Sequence, residues 1–330
     1  MNIENLIGAD FSGIVSVRKN KEVLFEKAFG YADLANKNPN TVETKFPTAS
    51  AGKVFVATRI LQLIEKGHLS FDTEIGAILS FDLDRLDQKV TVEQLLTHTS
   101  GVPDYFDESE LDNYADLWKD FPNYKIRKST DLLPLFIHKP MMYRPGEKFQ
   151  YNNSGFVLLG IIIEEISKKA FDTYLDEEIF QKCNMNSTGY YELDRLPGKC
   201  ASAYIYDTEK KEYYSNIYSV DAKGSGAGGA YTTIPDIHNF WKGLLSEKLI
   251  SEKFVKNMLS VHIHDGTSDY GYGIWLNKES EELYTPYFQG SDPGVSFISS
   301  YNMKKETEIT LVSNMENNVW EIKTNIEQIL

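Results

Sequence analysis

The sequence predicts an α/β chain of the α+β kind, an antiparallel sheet flanked by helices with a mainly helical lobe inserted between its halves. Three observations carry this. Strand-like runs cluster at both ends of the 330 residues, helical periodicity fills the middle, and no repeat, low-complexity tract or linker divides the chain. With 42% hydrophobic residues the chain can bury one large core, since a protein of this size removes roughly three quarters of its unfolded surface. A single domain over 1–330 is expected, with a sheet lobe from about 1–75 and 230–330 and a helical lobe from about 76–229.

The elements follow in order. The β-rich runs 11–18 and 22–31 flank Lys19-Asn20-Lys21, the pattern of a hairpin. From Val54 the apolar residues Ala57, Ile60, Leu61 and Ile64 recur at helical spacing, and Gly67 follows as a C-terminal stop. Thr91-Val92-Glu93-Gln94 has the form of a capping box, opening a short helix that ends near Gly101. The aromatic, acidic stretch 104–140 lacks a period and predicts short helices over a cleft. Asn153 or Ser154 is expected to cap a helix with the stripe Val157, Leu158, Gly160, Ile161 and Ile162, and a second amphipathic piece lies near 174–182. Strand-like stretches follow at 188–193 and 201–206. Thr233 then caps a helix with Pro235 in its first turn, and Ser251 starts another. The last third reads as strands at 270–277, 283–289, 295–301 and 308–313, closed by a helix from Val319.

Charge narrows the function. Lys+Arg 34 against Asp+Glu 48 gives −14, which argues against a surface that tracks nucleic-acid phosphates. The partner expected instead is a small molecule or a peptide. Cys183 and Cys200 make no disulfide framework and read as reduced thiols. No apolar run is long enough to span a bilayer, because Glu164 and Glu165 stop the one from Phe156 to Ile163. The first twenty residues lack a basic start followed by an apolar run, so action in the cytoplasm is the expectation, or secretion if a leader precedes the chain.

The chemistry centres on Ser50 and Lys53. Residues three apart in a helix share a face, so Lys53 Nζ can approach Ser50 Oγ, and a helix N-terminus favours negative charge developing there. Tyr151, between the turn Arg144-Pro145-Gly146 and a helix, is a candidate base if a lysine stabilises its phenolate, and Asn153 is placed to hold that lysine or a substrate amide. His98 and Ser100 are local neighbours at a helix end, where turn-forming hydrogen bonds are the expectation. Gly224, Gly226 and Gly229 match a dinucleotide fingerprint, but no helix starts at them. Close backbone approach near a cleft accounts for them better, and no cofactor is expected. His262 and His264 share a strand face without a third ligand by spacing, so no metal is expected. The G-x-S-x-G pattern of another hydrolase fold is absent.

Together, FPTASAGKVFVA, LLTHTSGVPDY, PGEKFQYNNSGFVLLGIIIEEIS, GAGGAYTTIPDI, YGYGIW and QGSDPGVSF stand in the order found in serine β-lactamases and penicillin-binding proteins. The chain resembles the branch containing class C β-lactamases, D,D-carboxypeptidases, D-aminopeptidases and family VIII esterases. The resemblance implies an acyl-enzyme on Ser50, activation by Lys53, Tyr151 as base and Asn153 as lysine or substrate ligand. It also implies an oxyanion hole from the backbone N–H groups of Ser50 and Ser291, beside Gly290.

One position departs from the family. Its third motif is a basic residue, any residue, then Gly; here it reads Phe288-Gln289-Gly290. The glycine is kept and the cation is lost. A phenyl ring at an apolar cleft edge is expected to weaken binding of carboxylate substrates and to favour neutral esters or amides, including D-amino-acid peptides. The alternatives are a β-lactamase or D,D-carboxypeptidase proper, and an inert binding or scaffolding module.

Overall fold

The computed structural model describes residues 2–107, 113–281 and 283–330. Of the stretch expected to cover a cleft, residues 108–112 lie outside the described residues. The chain opens with the hairpin β1 (Gly13–Lys19) and β2 (Glu22–Phe29). Its two linking residues, Asn20 and Lys21, both have positive φ (51° and 69°), the twist a two-residue hairpin turn requires. A ribbon of β3 (Tyr31–Asp33) and β4 (Asn38–Pro39) leads to β5 (Phe46–Pro47). A 3₁₀ turn, Ala49–Gly52, then runs directly into α1 (Lys53–Glu65), so Ser50 sits in that turn and not in the helix proper.

The central part is helical and loop-rich. The capping box forms as the sequence indicates: Thr91 and Gln94 exchange side-chain and backbone bonds at the start of α2 (Val92–Leu96). Short 3₁₀ turns follow at Tyr114–Trp118, Asn123–Lys125 and Ser129–Leu135. The long helix α3 (Asn153–Ser167) is capped one residue earlier than expected, by Asn152, whose Oδ1 accepts the Gly155 N–H. The piece near 174–182 is α4 (Phe171–Leu175) extended by a π turn, Asp176–Phe180. The hairpin β6 (Tyr204–Asp207) and β7 (Glu212–Ser215) accounts for part of 201–206, whereas 188–193 makes only isolated bridges at Gly189 and Glu192. Strand β8 (Tyr231–Thr232) pairs back to β5 and is followed by α5 (Ile234–Leu245) and α6 (Glu252–Met258).

The strand expected at 270–277 is broken. β9 (Ile263–His264) and β10 (Asp269–Tyr270) precede a turn, and β11 (Trp275–Ser280) resumes after it. Gly273 lies in that turn at φ +67°, pressed so close to α1 that a Cβ would come 2.3 Å from Ala57 Cβ. β12 (Leu283–Asp292), β13 (Val295–Asn302), β14 (Thr307–Ser313) and α7 (Val319–Glu327) complete the chain.

The main sheet is antiparallel and joins both ends of the chain, in the order β2-β1-β14-β13-β12-β11-β10-β9. Alternation distributes its side chains between two apolar clusters. Ile14, Phe288, Phe297 and Val312 join α1, α3 and α5 in the large core, while Val15, Val17, Ile298, Ile309 and Leu311 pack with Val319 and Ile326 of α7. Helices therefore cover both faces. Among the described residues no helix is long and apolar enough to cross a membrane.

Candidate active site

The turn that carries Ser50 is shaped by its neighbours. Ala49 is held at φ +48°, a left-handed conformation unusual for a residue with a Cβ, and its carbonyl accepts the Gly229 N–H at 3.0 Å. The glycine loop presses on it from one side, since a Cβ on Gly228 would lie 2.3 Å from Ala49 O. From the other side β12 does the same: a Cβ on Gly290 would lie 2.4 Å from Thr48 O and 2.6 Å from Ser50 N. The glycines read as a sign of close backbone approach have that role, and Gly226 likewise packs on Phe156 of α3.

Lys53, 2% exposed in the first turn of α1, joins three segments of chain. Its Nζ lies 2.9 Å from Ser50 Oγ, 2.8 Å from Asn153 Oδ1 and 2.6 Å from the Ala227 carbonyl. The Tyr151 ring centroid is 4.9 Å from the same ammonium. Tyr151 is held by its faces, stacked on Trp275 at 6.1 Å and tilted against His98 at 4.5 Å. His98 is buried and neutral, because burial and the charge of Lys53 push its pKa well below the ordinary value. Its Nδ1 accepts the Asn152 N–H at 3.1 Å, so the proton lies on Nε2, which donates to the Tyr270 hydroxyl at 3.0 Å. Among the described residues Ser100 bonds locally, its Oγ accepting the Val102 N–H.

Asp104 was not singled out in the sequence, although it stands inside the stretch HTSGVPDY. Its buried carboxylate accepts the Asn153 N–H at 2.8 Å, the Ser154 N–H at 3.1 Å and the Ser154 hydroxyl at 3.2 Å. These donors belong to the first turn of α3, 49 and 50 residues away in sequence, which no local pattern reveals. Ala227, the third partner of Lys53, acts through its carbonyl and so leaves no side-chain signature.

These groups open on a cleft of about 830 Å³. Ser50, Tyr151, Asn153, Gln289, Gly290 and Ser291 line it, with Tyr105, Phe106 and Tyr114 of the aromatic stretch. Gln289 Oε1 accepts the Trp320 indole N–H at 2.6 Å. Phe288 is not at the cleft edge. It is 2% exposed and turns into the core, against Trp241, Phe240 and Phe297 at centroid distances of 5.2, 5.9 and 6.1 Å. The expected apolar edge at that position is thereby corrected: at Phe288 this face of β12 is covered by α5, and only two residues further on, at Gly290, does it reach the Ser50 turn.

The character of the cleft comes from acids instead. Asp221, Asp292 and Glu316 line it, and no Lys, Arg or His does among the described residues. Burial and the nearby Asp292 push Asp221 up to about 8, although the Tyr114 hydroxyl donates to it at 3.2 Å. The histidine pair of the strand face is divided between other partners. His262 stacks on Tyr272 and contacts the Asn257 carbonyl, whereas His264 contacts Asp269. Cys183 and Cys200 are unbridged.

An eight-stranded antiparallel sheet covered by helices, with a Ser-x-x-Lys turn facing a Tyr-x-Asn segment across a cleft, defines a class of serine hydrolase folds. The chain belongs to the beta-lactamase family, whose model matches residues 3–316. It is 28% identical to penicillin-binding protein 4* of Bacillus subtilis, over 93% of this chain and 68% of that one. The crystal structure of a penicillin-binding protein from Bacillus halodurans superposes with a TM-score of 0.95 at 36% identity, covering 100% of both chains. D-amino acid amidase from Ochrobactrum anthropi, solved with L-phenylalanine amide, shares the fold at a TM-score of 0.80 and 21% identity, over 99% of this chain and 94% of that one.

Proposed function

We propose that the protein is a serine hydrolase that cleaves esters or amides through an acyl-enzyme on Ser50. The observation that carries this reading is the surrounding of Lys53 Nζ. Ser50 Oγ, Asn153 Oδ1 and Ala227 O all lie within hydrogen-bond reach of Nζ, and on this reading they accept hydrogens from an ammonium. A protonated lysine cannot serve as base, so its contribution is electrostatic: it stabilises negative charge at Ser50 and at Tyr151. Tyr151, as phenolate, then takes the Ser50 proton while Oγ bonds to the substrate carbonyl carbon. The charge that forms on the carbonyl oxygen is received by the backbone N–H groups of Ser50 and Ser291, each such donor contributing about 2.7–4 kcal/mol to the transition state. The proton passes to the leaving alcohol or amine, and water releases the acyl group by the same route in reverse.

The charge of the cleft supports a substrate class. Asp292 and Glu316, with Asp221 largely protonated at neutral pH and no Lys, Arg or His lining the cleft among the described residues, disfavour a substrate carboxylate, so penicillin-like and peptide-carboxylate ligands bind weakly. Neutral or amine-bearing esters and amides fit, and amino-acid amides of the kind bound by the similar amidase belong to that class. Intact-protein mass spectrometry after a fluorophosphonate, an activated ester and a penicillin tests this. The expected result is an adduct with the first two, absent in Ser50→Ala, and little with penicillin. No adduct with any of the three overturns the reading in favour of a binding module; rapid acylation by penicillin overturns the substrate class.

A further inference from the structure

We propose that Asp104 is a positioning residue of the acylation step: it fixes the Asn153 amide so that its oxygen, not its NH₂ group, meets Lys53, and thereby sets where the ammonium points at Ser50. This rests on the activation of Ser50 by Lys53 proposed above. An amide can be turned over about its end with little change of shape, so something must decide which atom faces the lysine. In this site both donors of the Asn153 side chain are drawn away from Lys53, towards Asp104 Oδ2 at 3.4 Å and the Phe106 carbonyl at 3.3 Å. That leaves Oδ1 for Lys53 Nζ at 2.8 Å. The same Asp104 oxygen anchors the backbone of Asn153 at 2.8 Å. Turned over, the amide would set its NH₂ against an ammonium and leave the carboxylate facing a carbonyl.

Asp104 is not needed merely as a cap. α3 already has one in Asn152, whose Oδ1 lies 2.6 Å from the Gly155 N–H. The carboxylate is instead buried at a cost, faced by Lys53, with Tyr105 and Tyr143 nearby and Lys139 bonded to its backbone carbonyl at 3.2 Å. Burial outweighs the attraction of Lys53 and the backbone N–H bonds and pushes its carboxyl up to about 6. Above that pH it is an acceptor on both oxygens. Below it, one oxygen becomes an O–H donor, and an N–H of Asn153, Ser154 or Phe106 loses its partner.

The test is the rate of Ser50 acylation by an activated ester between about pH 5 and 9, in the wild type and in Asp104→Asn, with thermal melts of both. The expected result is acylation slowed about 10²-fold in D104N, as for a misplaced reacting group, with KM little changed. The wild type should also show an acidic limb near pH 6 that D104N lacks. A purely structural residue would change the melt and leave the limb. D104N acylating at the wild-type rate, or slowed but keeping the limb, overturns the proposal. A wild-type rate flat through pH 6 overturns it even if D104N does not fold. A wild type that is not acylated at any pH is a distinct failure, of the reading of Ser50 itself.

Discussion

Gly290 has no room for a side chain, because every near neighbour of the missing Cβ is backbone of the Ser50 turn. Neither a rotamer change nor a small side-chain shift relieves a contact with Thr48 O, Ser50 N and Ala51 N. Gly290→Ala is therefore expected to move the turn and its N–H donor, with acylation of Ser50 slowed about 10²–10³-fold, the cost of losing one oxyanion donor. Acylation kinetics alongside circular dichroism would check it, and a folded G290A with a near-normal rate would show that the turn is not held by this contact. At this scale the sequence was largely legible. Ser50, Lys53, Tyr151 and Asn153 are approximately local signatures, and the structure brings them together. Asp104 and the Ala227 carbonyl were not, since one acts on donors distant in sequence and the other through its main chain.

His98 links elements. It joins the end of α2 to the start of α3 through Asn152, and to β10 through Tyr270, while its ring supports Tyr151. His98→Leu leaves the Asn152 N–H and the Tyr270 hydroxyl without their partner, at a cost of about 1–3 kcal/mol. The pH dependence has a definite sign. The folded pKa of His98 lies below its unfolded value near 6.5, so the unfolded chain binds the extra proton first, and the contribution present above 6.5 is lost as pH falls. The gap in melting temperature between wild type and H98L is expected to narrow from about pH 7 to 5; a constant gap would mean that the imidazole is not buried neutral. Element boundaries were less legible than elements. The strand at 270–277 is broken where α1 approaches Gly273; the pair Gly271 and Gly273 is the local sign of such an approach, but the partner that imposes it is distant in sequence. The capping box and the Asn20-Lys21 turn are local and formed where the sequence placed them.

Across the whole molecule, the acidic cleft sets stability against function. Asp221 and Asp104 have folded pKa values of about 8 and 6, above the unfolded value near 3.9. The native state therefore holds protons that the unfolded state has released, and stability present at low pH is lost as pH rises through those values. Asp221→Asn removes the larger shift. It is expected to raise stability at pH 8 by about 1–2 kcal/mol, a few degrees in melting temperature, with the advantage fading towards pH 4. Scanning calorimetry across that range would check it, and a destabilised D221N at pH 8 would mean that Tyr114 compensates the charge fully. Groups that cost stability in a cleft are the ones a ligand is expected to repay. This acidity was not legible beforehand, since the overall charge of −14 does not say where the acids converge.

Phe288 carries a last consequence. Its place at the cleft was implied by the resemblance of Phe288-Gln289-Gly290 to the family's third motif, and a motif position does not say how its side chain packs once helices cover both faces of the sheet. Wedged among Phe240, Trp241 and Phe297, Phe288 occupies a site with no room for a charge. A cation placed there alone would enter an aromatic core, and accommodating it would require those neighbours to change together. Asp221, Asp292 and Gln289 line the cleft itself, so charge is more readily altered at those positions than at Phe288.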